Sequence, residues 1–425
     1  MTEKRLHYAW YVLLGIILIR GFAGGGINMT SGLFLLPVSQ EIGVGVGSLS
    51  LYLSISSVVL VVSLPLAGKL INRYDIRVMA LAGAALQALS FAAFGLMNHV
   101  YGWYLLAVPQ AMGAAIVVNL LGPILINRWF SRNVGLMLGI QMACVSLFGA
   151  IWQPITSFII AGRGWRTAYF VVGGITFAVI ILSAIILLRN SPKDLGMQPY
   201  GNEEKRSHEK GGRGPRLEID EKTALHSISF YLLLVFMIAI TGVGVFVQHI
   251  PTYGLMLGYS TQVTGMALAF ASIGSSIGSV AIGMISDRIG SLKTCFGVIV
   301  IGLIAAVGFL FSAQNFLIFG ISTFMHGLVS AGVMVLAPIL TLTFYGQQDY
   351  EKIYARISMG APLASILLVP AYGFIYDIMN DYRPVLFWII FLLLISACCI
   401  AAGWKNRCTI DGCPTWRRRK QPPEV

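Results

Sequence analysis

The chain has 425 residues, of which 57% are hydrophobic and only 11% are charged. The apolar residues form runs of about twenty, which is the length that an α-helix needs to cross a bilayer core about 30 Å thick. A soluble protein of this length would expose far more charge, because even a well-buried domain needs a hydrated surface. The composition therefore argues against a soluble globular domain and predicts an all-α integral membrane protein.

The formal net charge is +12, so the position of the basic residues decides whether a nucleic acid could be the partner. They lie between the apolar runs, so we expect no nucleic-acid partner and regard the lipid bilayer as the surroundings. The six cysteines show no metal-ligand spacing. The sequence also has no nucleotide-binding loop of the GxxxxGK[ST] type and no nucleophile-and-base constellation. We therefore expect no metal, no other cofactor and no enzymatic activity.

Twelve apolar runs follow one another along the chain. The first six lie near residues 10–36, 48–71, 77–97, 102–127, 133–160 and 166–189. After a polar segment, six more lie near residues 228–253, 262–286, 292–312, 315–345, 352–378 and 384–404. The first run has no short apolar core followed by a cleavage site, so we predict that it stays in the membrane as the first span.

These runs predict four parts of the chain. They are an N-terminal six-helix bundle at 1–189, a linker at 190–226, a C-terminal six-helix bundle at 227–404 and a basic tail at 405–425. Residues 190–225 include seven basic and seven acidic residues and few large apolar groups, a composition typical of a mobile linker.

The distribution of lysine and arginine predicts the orientation. The segments between spans are assigned in turn to one side of the membrane and then to the other. The side that contains the N-terminus, the linker and the tail holds 25 of the 29 basic residues. The opposite side holds three, and the remaining one is Arg20, inside the first span. Because cytoplasmic loops carry an excess of lysine and arginine, we predict that both termini and the linker are cytoplasmic in a multi-pass protein of the cell membrane, plasma or inner.

Two separate stretches recur at an offset of 215 residues. Near the end of the second span stands Gly68-Lys69-Leu70-Ile71-Asn72-Arg73-Tyr74-Asp75-Ile76-Arg77, and near the end of the eighth stands Gly283-Met284-Ile285-Ser286-Asp287-Arg288-Ile289-Gly290. The same offset relates Pro123 to Pro338. A duplicated six-span unit joined by a polar linker indicates two halves that move about a central site.

The second copy, Asp287-Arg288-Ile289-Gly290, resembles the signature that the major facilitator superfamily carries in the loop after the second helix of each half. The resemblance implies a twelve-helix major facilitator fold with two gating loops, built from Asn72, Arg73, Asp75, Arg77, Asp287 and Arg288. The first copy departs from the signature, because Asn72 replaces the usual acid and Asp75 the usual glycine. Arginines in such loops can contact acids and helix C-terminal carbonyls and hold an inner gate shut, or can serve only as topology determinants.

Further motifs are similar to the bacterial monocarboxylate and oxalate/formate branch of that superfamily. They lie chiefly in the first half and are Asn127-Arg128-Trp129-Phe130-Ser131-Arg132, Gly135, Gly139-Ile140, Gly164-Trp165-Arg166 and Ser191-Pro192-Lys193-Asp194-Leu195-Gly196. Oxalate-type members are expected to carry basic residues in the eighth and eleventh helices, yet residues 262–286 and 357–376 contain neither lysine nor arginine. Monocarboxylate members commonly carry a charged residue or pair in the eighth helix, so the chain departs from that pattern too. The missing cations favour a singly charged organic anion over a substrate with two carboxylates.

One basic residue, Arg20, lies inside an apolar run. It follows Trp10 by ten positions, which at about 1.5 Å per residue places it roughly 15 Å into the membrane, near the middle. A charge at that depth should face a cavity or a partner, and we predict no acidic residue at comparable depth. Because a guanidinium can donate two parallel hydrogen bonds to a carboxylate, Arg20 indicates an anion site. The alternative is that Arg20 reaches toward the membrane surface or bonds to helix carbonyls.

Other polar and aromatic side chains lie at membrane depth in both halves. The predicted substrate-binding residues are Arg20, Asn28, Asn119, Gln141, Trp152, Gln248, His249 and His326. His249 and His326 are also candidates for proton coupling, because an unperturbed histidine titrates near pH 6.5. Each of these polar groups could instead connect neighbouring helices, where such a hydrogen bond contributes on the order of 1 kcal/mol.

The sequence predicts a carrier that moves a small or amphipathic organic monoanion by alternating access, with proton coupling and anion exchange both open. A proton-driven multidrug or metabolite exporter is one alternative, although such carriers often use a buried acid. A membrane sensor on a carrier fold is the other, although it would be expected to have a large cytoplasmic extension. The substrate, the direction of transport and the oligomeric state are left open.

Overall fold

The computed structural model describes residues 7–131, 134–201, 219–346 and 349–411. Residues 202–218 of the predicted linker, residues 412–425 of the predicted tail and Arg132 lie outside the described residues. The described residues form twelve long helices, and no β-strand is found among them. The helices of the first half are α1 (Ala9–Ile42), α2 (Val46–Arg73), α3 (Ile76–Leu96), α4 (Val100–Trp129), α5 (134–163) and α6 (165–186). Those of the second half are α7 (228–256), α8 (Thr261–Ile289), α9 (Ser291–Leu310), α10 (Phe316–Tyr345), α11 (Lys352–Met379) and α12 (Arg383–Asp411).

Eleven stretches of the described chain are apolar and long enough to cross a membrane, and one of them is long enough to cross it twice. The stretch Leu136–Ile186 has 51 residues, which at about 1.5 Å per residue is roughly 76 Å, more than twice the thickness of a bilayer core. Gly164 interrupts it with a left-handed φ of 80° and a ψ of 163°, which separates α5 from α6. The prediction of twelve membrane helices is thus confirmed, with most ends within a few residues of those expected.

The two halves share apolar packing on the side of the membrane away from the linker, called here the far side. One continuous core contains Phe34, Trp103 and Tyr169 of the first half together with Phe246 and Tyr372 of the second. A second core, which includes Ile19 and Trp129, belongs to the first half alone. The first half is therefore joined to the second on the far side and packs on itself elsewhere.

Hydrogen bonds between the halves also lie toward the far side. Ser31 Oγ in α1 donates to Gln248 Oε1 in α7 at 2.8 Å, and Ser272 Oγ in α8 donates to Gln153 Oε1 in α5 at 3.0 Å. The Asp377 carboxylate in α11 accepts hydrogen bonds from the backbone of α2. These contacts close the far side of the molecule.

The two ends of the linker contact matching positions of the two halves. Tyr200 N donates to Trp129 O at 2.8 Å, at the end of α4, and Ile219 N donates to Tyr345 O at 3.2 Å, at the end of α10. Phe130, next to Trp129, and Tyr345 are separated by the repeat offset of 215 residues. Each half therefore binds its end of the linker through the same part of its fourth helix.

Candidate functional site

The winding of α1 changes at the predicted anion residue. Residues Ala9–Arg20 are α-helical and Gly21–Asn28 are π-helical, so Arg20 is the last residue before the change. It lies eleven residues after the start of the helix, roughly 16 Å along the axis and near the middle of a bilayer core. Two further π-helical segments lie in the same half, at Ala85–Leu89 in α3 and Ala115–Leu120 in α4. Such segments are often found at functional sites.

Glycine in the π-helical segment of α1 brings it close to α5. A Cβ atom at Gly25 would lie 2.7 Å from both Gly149 N and Val145 O, which are backbone atoms of α5. No larger residue allows this approach without moving a helix. The close contact brings the end of the α-helical part of α1, with Arg20, beside α5.

Arg20 lies in an enclosed polar cluster with Gln141 of α5, beside Gly122 of α4. Its side chain is only 6% exposed and that of Gln141 is 0% exposed. A Cβ atom built on Gly122 would overlap Gln141 Oε1 and lie 2.9 Å from Arg20 Cδ, so both side chains border this glycine. The structure therefore brings together two of the predicted site residues.

Four polar atoms of this cluster lack a hydrogen-bond partner among the described residues. In the described part of the chain, Arg20 Nε and Nη1 have no hydrogen-bond partner, and neither do Gln141 Nε2 and Oε1, although all four are buried. An unpaired charge away from water costs several kcal/mol, and an unpaired amide about 1 to 3 kcal/mol. The arrangement offers three donor nitrogens and one acceptor oxygen, and an anion bound here would accept hydrogen bonds from the three nitrogens that the described residues leave unsatisfied.

Three more predicted residues lie around the π-helical segments. Asn28 is exposed, and its Oδ1 accepts a hydrogen bond from Gln87 Nε2 in α3 at 3.2 Å. Asn119 Nδ2 in α4 donates to the backbone of its own helix, at Ala114 O. Trp152 in α5 packs edge to face against Phe22, with ring centroids 5.6 Å apart. Gln87, which holds Asn28, was not predicted, because a single glutamine in an apolar run carries no signal of its partner.

The predicted residues of the second half occupy different kinds of position. Gln248 takes part in the far-side contact with Ser31. His249 is buried, and both ring nitrogens are used: Nδ1 contacts Tyr382 OH at 2.9 Å and Nε2 contacts Val369 O at 2.8 Å. His326 is also buried, but its Nε2 has no hydrogen-bond partner within the described residues. The structure thus places His249 in a saturated network and leaves one nitrogen of His326 available.

Of the two loops predicted to form a gate, the first makes contacts within its own half. Arg77 Nε donates to Leu188 O at the end of α6, and Asp75 Oδ1 accepts a hydrogen bond from Arg77 N at the start of α3. Asp287 and Arg288 are exposed. Arg73 contacts the ring of the neighbouring Tyr74, and the side chain of Asn72 lies outside the described part. In this conformation these contacts fasten helices of one half to each other.

The described chain has twelve membrane-spanning helices in two halves, which contact each other on the far side, and a buried cation lies inside one half. These features define a polytopic membrane carrier. The family model for the Major Facilitator Superfamily matches residues 16–318 and 257–423. The chain belongs to this superfamily, and it is a secondary transporter and not an enzyme.

Curated relatives are similar at low identity. The MFS-type transporter pynF of Aspergillus niger is 25% identical over 59% of this chain, which spans 57% of that relative's length. The oxalate:formate antiporter of Oxalobacter formigenes is 24% identical over 71% of this chain and 68% of its own. Monocarboxylate transporter 4 of Rattus norvegicus is 24% identical over 46% of this chain and 41% of its own.

Solved transporter structures share the fold. A bacterial homolog of the human lysosomal transporter Spinster, in an inward-facing and occupied conformation, superposes with a TM-score of 0.71 at 13% identity, covering 94% of this chain and 97% of its own. At this identity the likeness concerns the fold alone.

Proposed function

We propose that this transporter carries a singly charged organic anion, small or amphipathic, whose carboxylate binds Arg20 between α1, α4 and α5. The observation that carries the proposal is the enclosed guanidinium, which has two nitrogens without a partner in the described chain and lies beside an equally unpaired Gln141 amide. A carboxylate accepts hydrogen bonds from both groups and balances the charge of Arg20.

The charge count supports a monoanion over a dianion. Residues 262–286 and 357–376, in α8 and α11, contain no lysine or arginine. Among the described residues, Arg20 is the one lysine or arginine near the middle of a membrane helix. A second carboxylate would be buried without a counter-charge, which is unfavourable. Two of the relatives carry names that refer to small carboxylates, which favours the same class of substrate.

We further propose that the halves work by alternating access. In that mechanism the far-side contacts break when the linker-side ends come together. The hydrogen bonds that join the halves on the far side connect helix ends and single side chains, such as Ser31 with Gln248. Contacts of this kind can be broken and remade without unfolding a helix.

Uptake into proteoliposomes tests the substrate class. We expect the purified transporter to move at least one of formate, lactate, butyrate and benzoate, and to move oxalate much more slowly. Uptake is measured with and without an inward proton gradient, and with and without the same anion inside, which separates proton coupling from exchange. Transport of ethidium with none of the carboxylates would contradict the proposal and favour a multidrug exporter.

For proton coupling, His326 is the better placed of the two candidate histidines, because its Nε2 is unpaired in the described chain whereas both nitrogens of His249 are bonded. If uptake depends on a proton gradient, His326→Gln is expected to abolish the stimulation while anion counterflow without a gradient continues. His249→Gln is expected to lower the melting temperature instead, because it disrupts the two buried hydrogen bonds of the imidazole, with Tyr382 OH and Val369 O. Undiminished stimulation in purified His326→Gln would exclude this histidine.

We propose that both termini and the linker face the cytoplasm of the cell membrane, on the strength of 25 basic residues against three. In a cysteine-free background, a cysteine at the exposed far-side His99 is expected to react with a membrane-impermeant thiol reagent added to intact cells. A cysteine at the exposed linker residue Lys193 is expected to react only after permeabilisation. The reverse pattern would overturn the orientation.

A further inference from the structure

We infer that Gly122 is a positioning residue of the anion site, which keeps Arg20 and Gln141 beside each other by leaving space between α4 and α5. The inference rests on the proposed function, since it concerns the same anion site. Gly122 lies in α4, one residue before Pro123, and was not among the residues that the sequence predicted. Its importance follows from what a side chain at this position would meet.

The atoms around Gly122 distinguish it from a packing glycine. A Cβ atom there would overlap Gln141 Oε1 and lie 3.2 Å from Gln141 Cδ and 2.9 Å from Arg20 Cδ. These three nearest atoms all belong to side chains of the polar cluster. At Gly25, in contrast, the nearest atoms include backbone atoms of α5 at 2.7 Å, so a larger residue would force two helices apart. A methyl group at Gly122 would displace the side chains of Arg20 and Gln141 and leave the helices in place.

The second half shows that the fold accepts a methyl group at the equivalent place. The repeat offset of 215 residues relates Gly122-Pro123 in α4 to Ala337-Pro338 in α10. Ala337 is buried, with 3% exposure, so the helix packs with an alanine before its proline. Alanine is also the better helix former, by about 1 kcal/mol. Neither the packing nor the helical propensity of this position accounts for glycine in the half that contains Arg20.

The two side chains have little else to orient them. Within the described residues, no hydrogen bond holds Arg20 Nε or Nη1, and none holds the Gln141 amide. Their relative position therefore depends on the shape of the space around them, and Gly122 forms one wall of that space. A positional error of about 1 Å is enough to weaken a site whose donors must converge on one ligand.

The test compares two glycine-to-alanine variants for binding of formate, lactate, butyrate and benzoate. We expect Gly122→Ala to fold with a melting temperature close to that of the wild type and to bind the preferred anion at least about tenfold more weakly. Gly139→Ala is the matched control in α5, because a Cβ atom there would meet no atom of the described chain within 4 Å. That variant should bind like the wild type.

A double variant shows whether Gly122 acts through Gln141. Truncating Gln141 removes two of the three nearest atoms and gives the remaining one, Arg20 Cδ, room to move away from a Cβ atom at position 122. We therefore expect Gly122→Ala to weaken binding less in the Gln141→Ala background than in the wild type. Losses that simply add would contradict a positioning role, as would wild-type affinity in Gly122→Ala. If Arg20→Gln weakens binding while Gly122→Ala does not, only this inference fails. If Arg20→Gln binds like the wild type, or if the wild type binds none of the four anions, the proposed function fails with it.

Discussion

Replacing Arg20 with glutamine is expected to weaken monocarboxylate binding by about tenfold to more than a hundredfold. A charge-assisted hydrogen bond in an enclosed site contributes roughly 1.5 to 3 kcal/mol, and glutamine removes the charge. Arg20→Lys keeps the charge but loses the planar fork, so affinity should fall in the order arginine, lysine, glutamine. The measurement is the dissociation constant of the best-transported carboxylate for purified, monodisperse protein.

The stability of the same variants separates binding from folding. Arg20 is buried and two of its nitrogens are unpaired within the described chain, so removing its charge should leave the melting temperature of the ligand-free protein unchanged or raised. Arg163→Gln removes the same charge at an exposed position and serves as the control. Wild-type affinity in Arg20→Gln would exclude Arg20 from the site, and a large loss of stability would make its role structural.

Replacing Asp377 with alanine is expected to open the far side of the transporter. Helix α2 begins after Gly45, which has no side chain with which to cap it. The cap comes from α11 in the other half: Asp377 Oδ1 accepts from Val46 N at 2.8 Å and Oδ2 from Gly47 N at 2.7 Å. A carboxylate at a helix N-terminus is favoured both by these free N–H groups and by the helix dipole. The cap therefore stabilises the conformation in which the two halves are in contact.

The free energy of the helix cap sets the size of the shift expected for Asp377→Ala. An N-cap contributes about 0.5 to 2 kcal/mol, so Asp377→Ala should shift the equilibrium between far-side closed and far-side open forms by roughly two- to thirtyfold. Spin labels at His99 and Phe311, exposed far-side residues of different halves, report the distance between the halves. We expect longer distances to become populated in the variant.

A neighbouring acid provides the control for Asp377. Asp381 contacts Arg383 of its own half, with Oδ1 accepting from Arg383 N at 2.9 Å. Asp381→Ala thus removes a far-side carboxylate and a helix cap without touching the contact between the halves. Equal effects of the two substitutions, or an unchanged distance distribution in Asp377→Ala, would contradict the role assigned to the cap between the halves.

The helices could be predicted from the sequence because each depends on a local property. A run of about twenty apolar residues must cross the bilayer, and its backbone must be hydrogen-bonded internally, so hydropathy alone locates it. The gap between the apolar runs 133–160 and 166–189 similarly indicated the break between α5 and α6, which the structure places at Gly164. The π-helical winding at Gly21–Asn28 was not predicted, because it depends on how closely α5 approaches the glycines of α1.

The candidate site was only partly accessible from the sequence. The depth of Arg20 could be counted along one helix, but its proximity to Gln141 and Gly122 depends on three helices that are far apart in the chain. His249 and His326 were equivalent in the sequence, and only their neighbours distinguish them, since Tyr382 binds the first. The cap on α2 is beyond local reasoning, because Asp377 lies 331 residues from Val46.

The π-helical segment of α1 connects the anion site to the far-side gate along a single backbone. Arg20 precedes this segment, and Ser31, which bonds Gln248 of the other half, follows it closely. A π-helix closes each hydrogen bond over one more residue than an α-helix, as Met29 N does with Gly24 O at 3.0 Å. Rewinding this segment as an α-helix would rotate Ser31 about the helix axis relative to Arg20. We therefore expect anion binding at Arg20 and the contact of Ser31 with Gln248 to be coupled through the pitch of one helix.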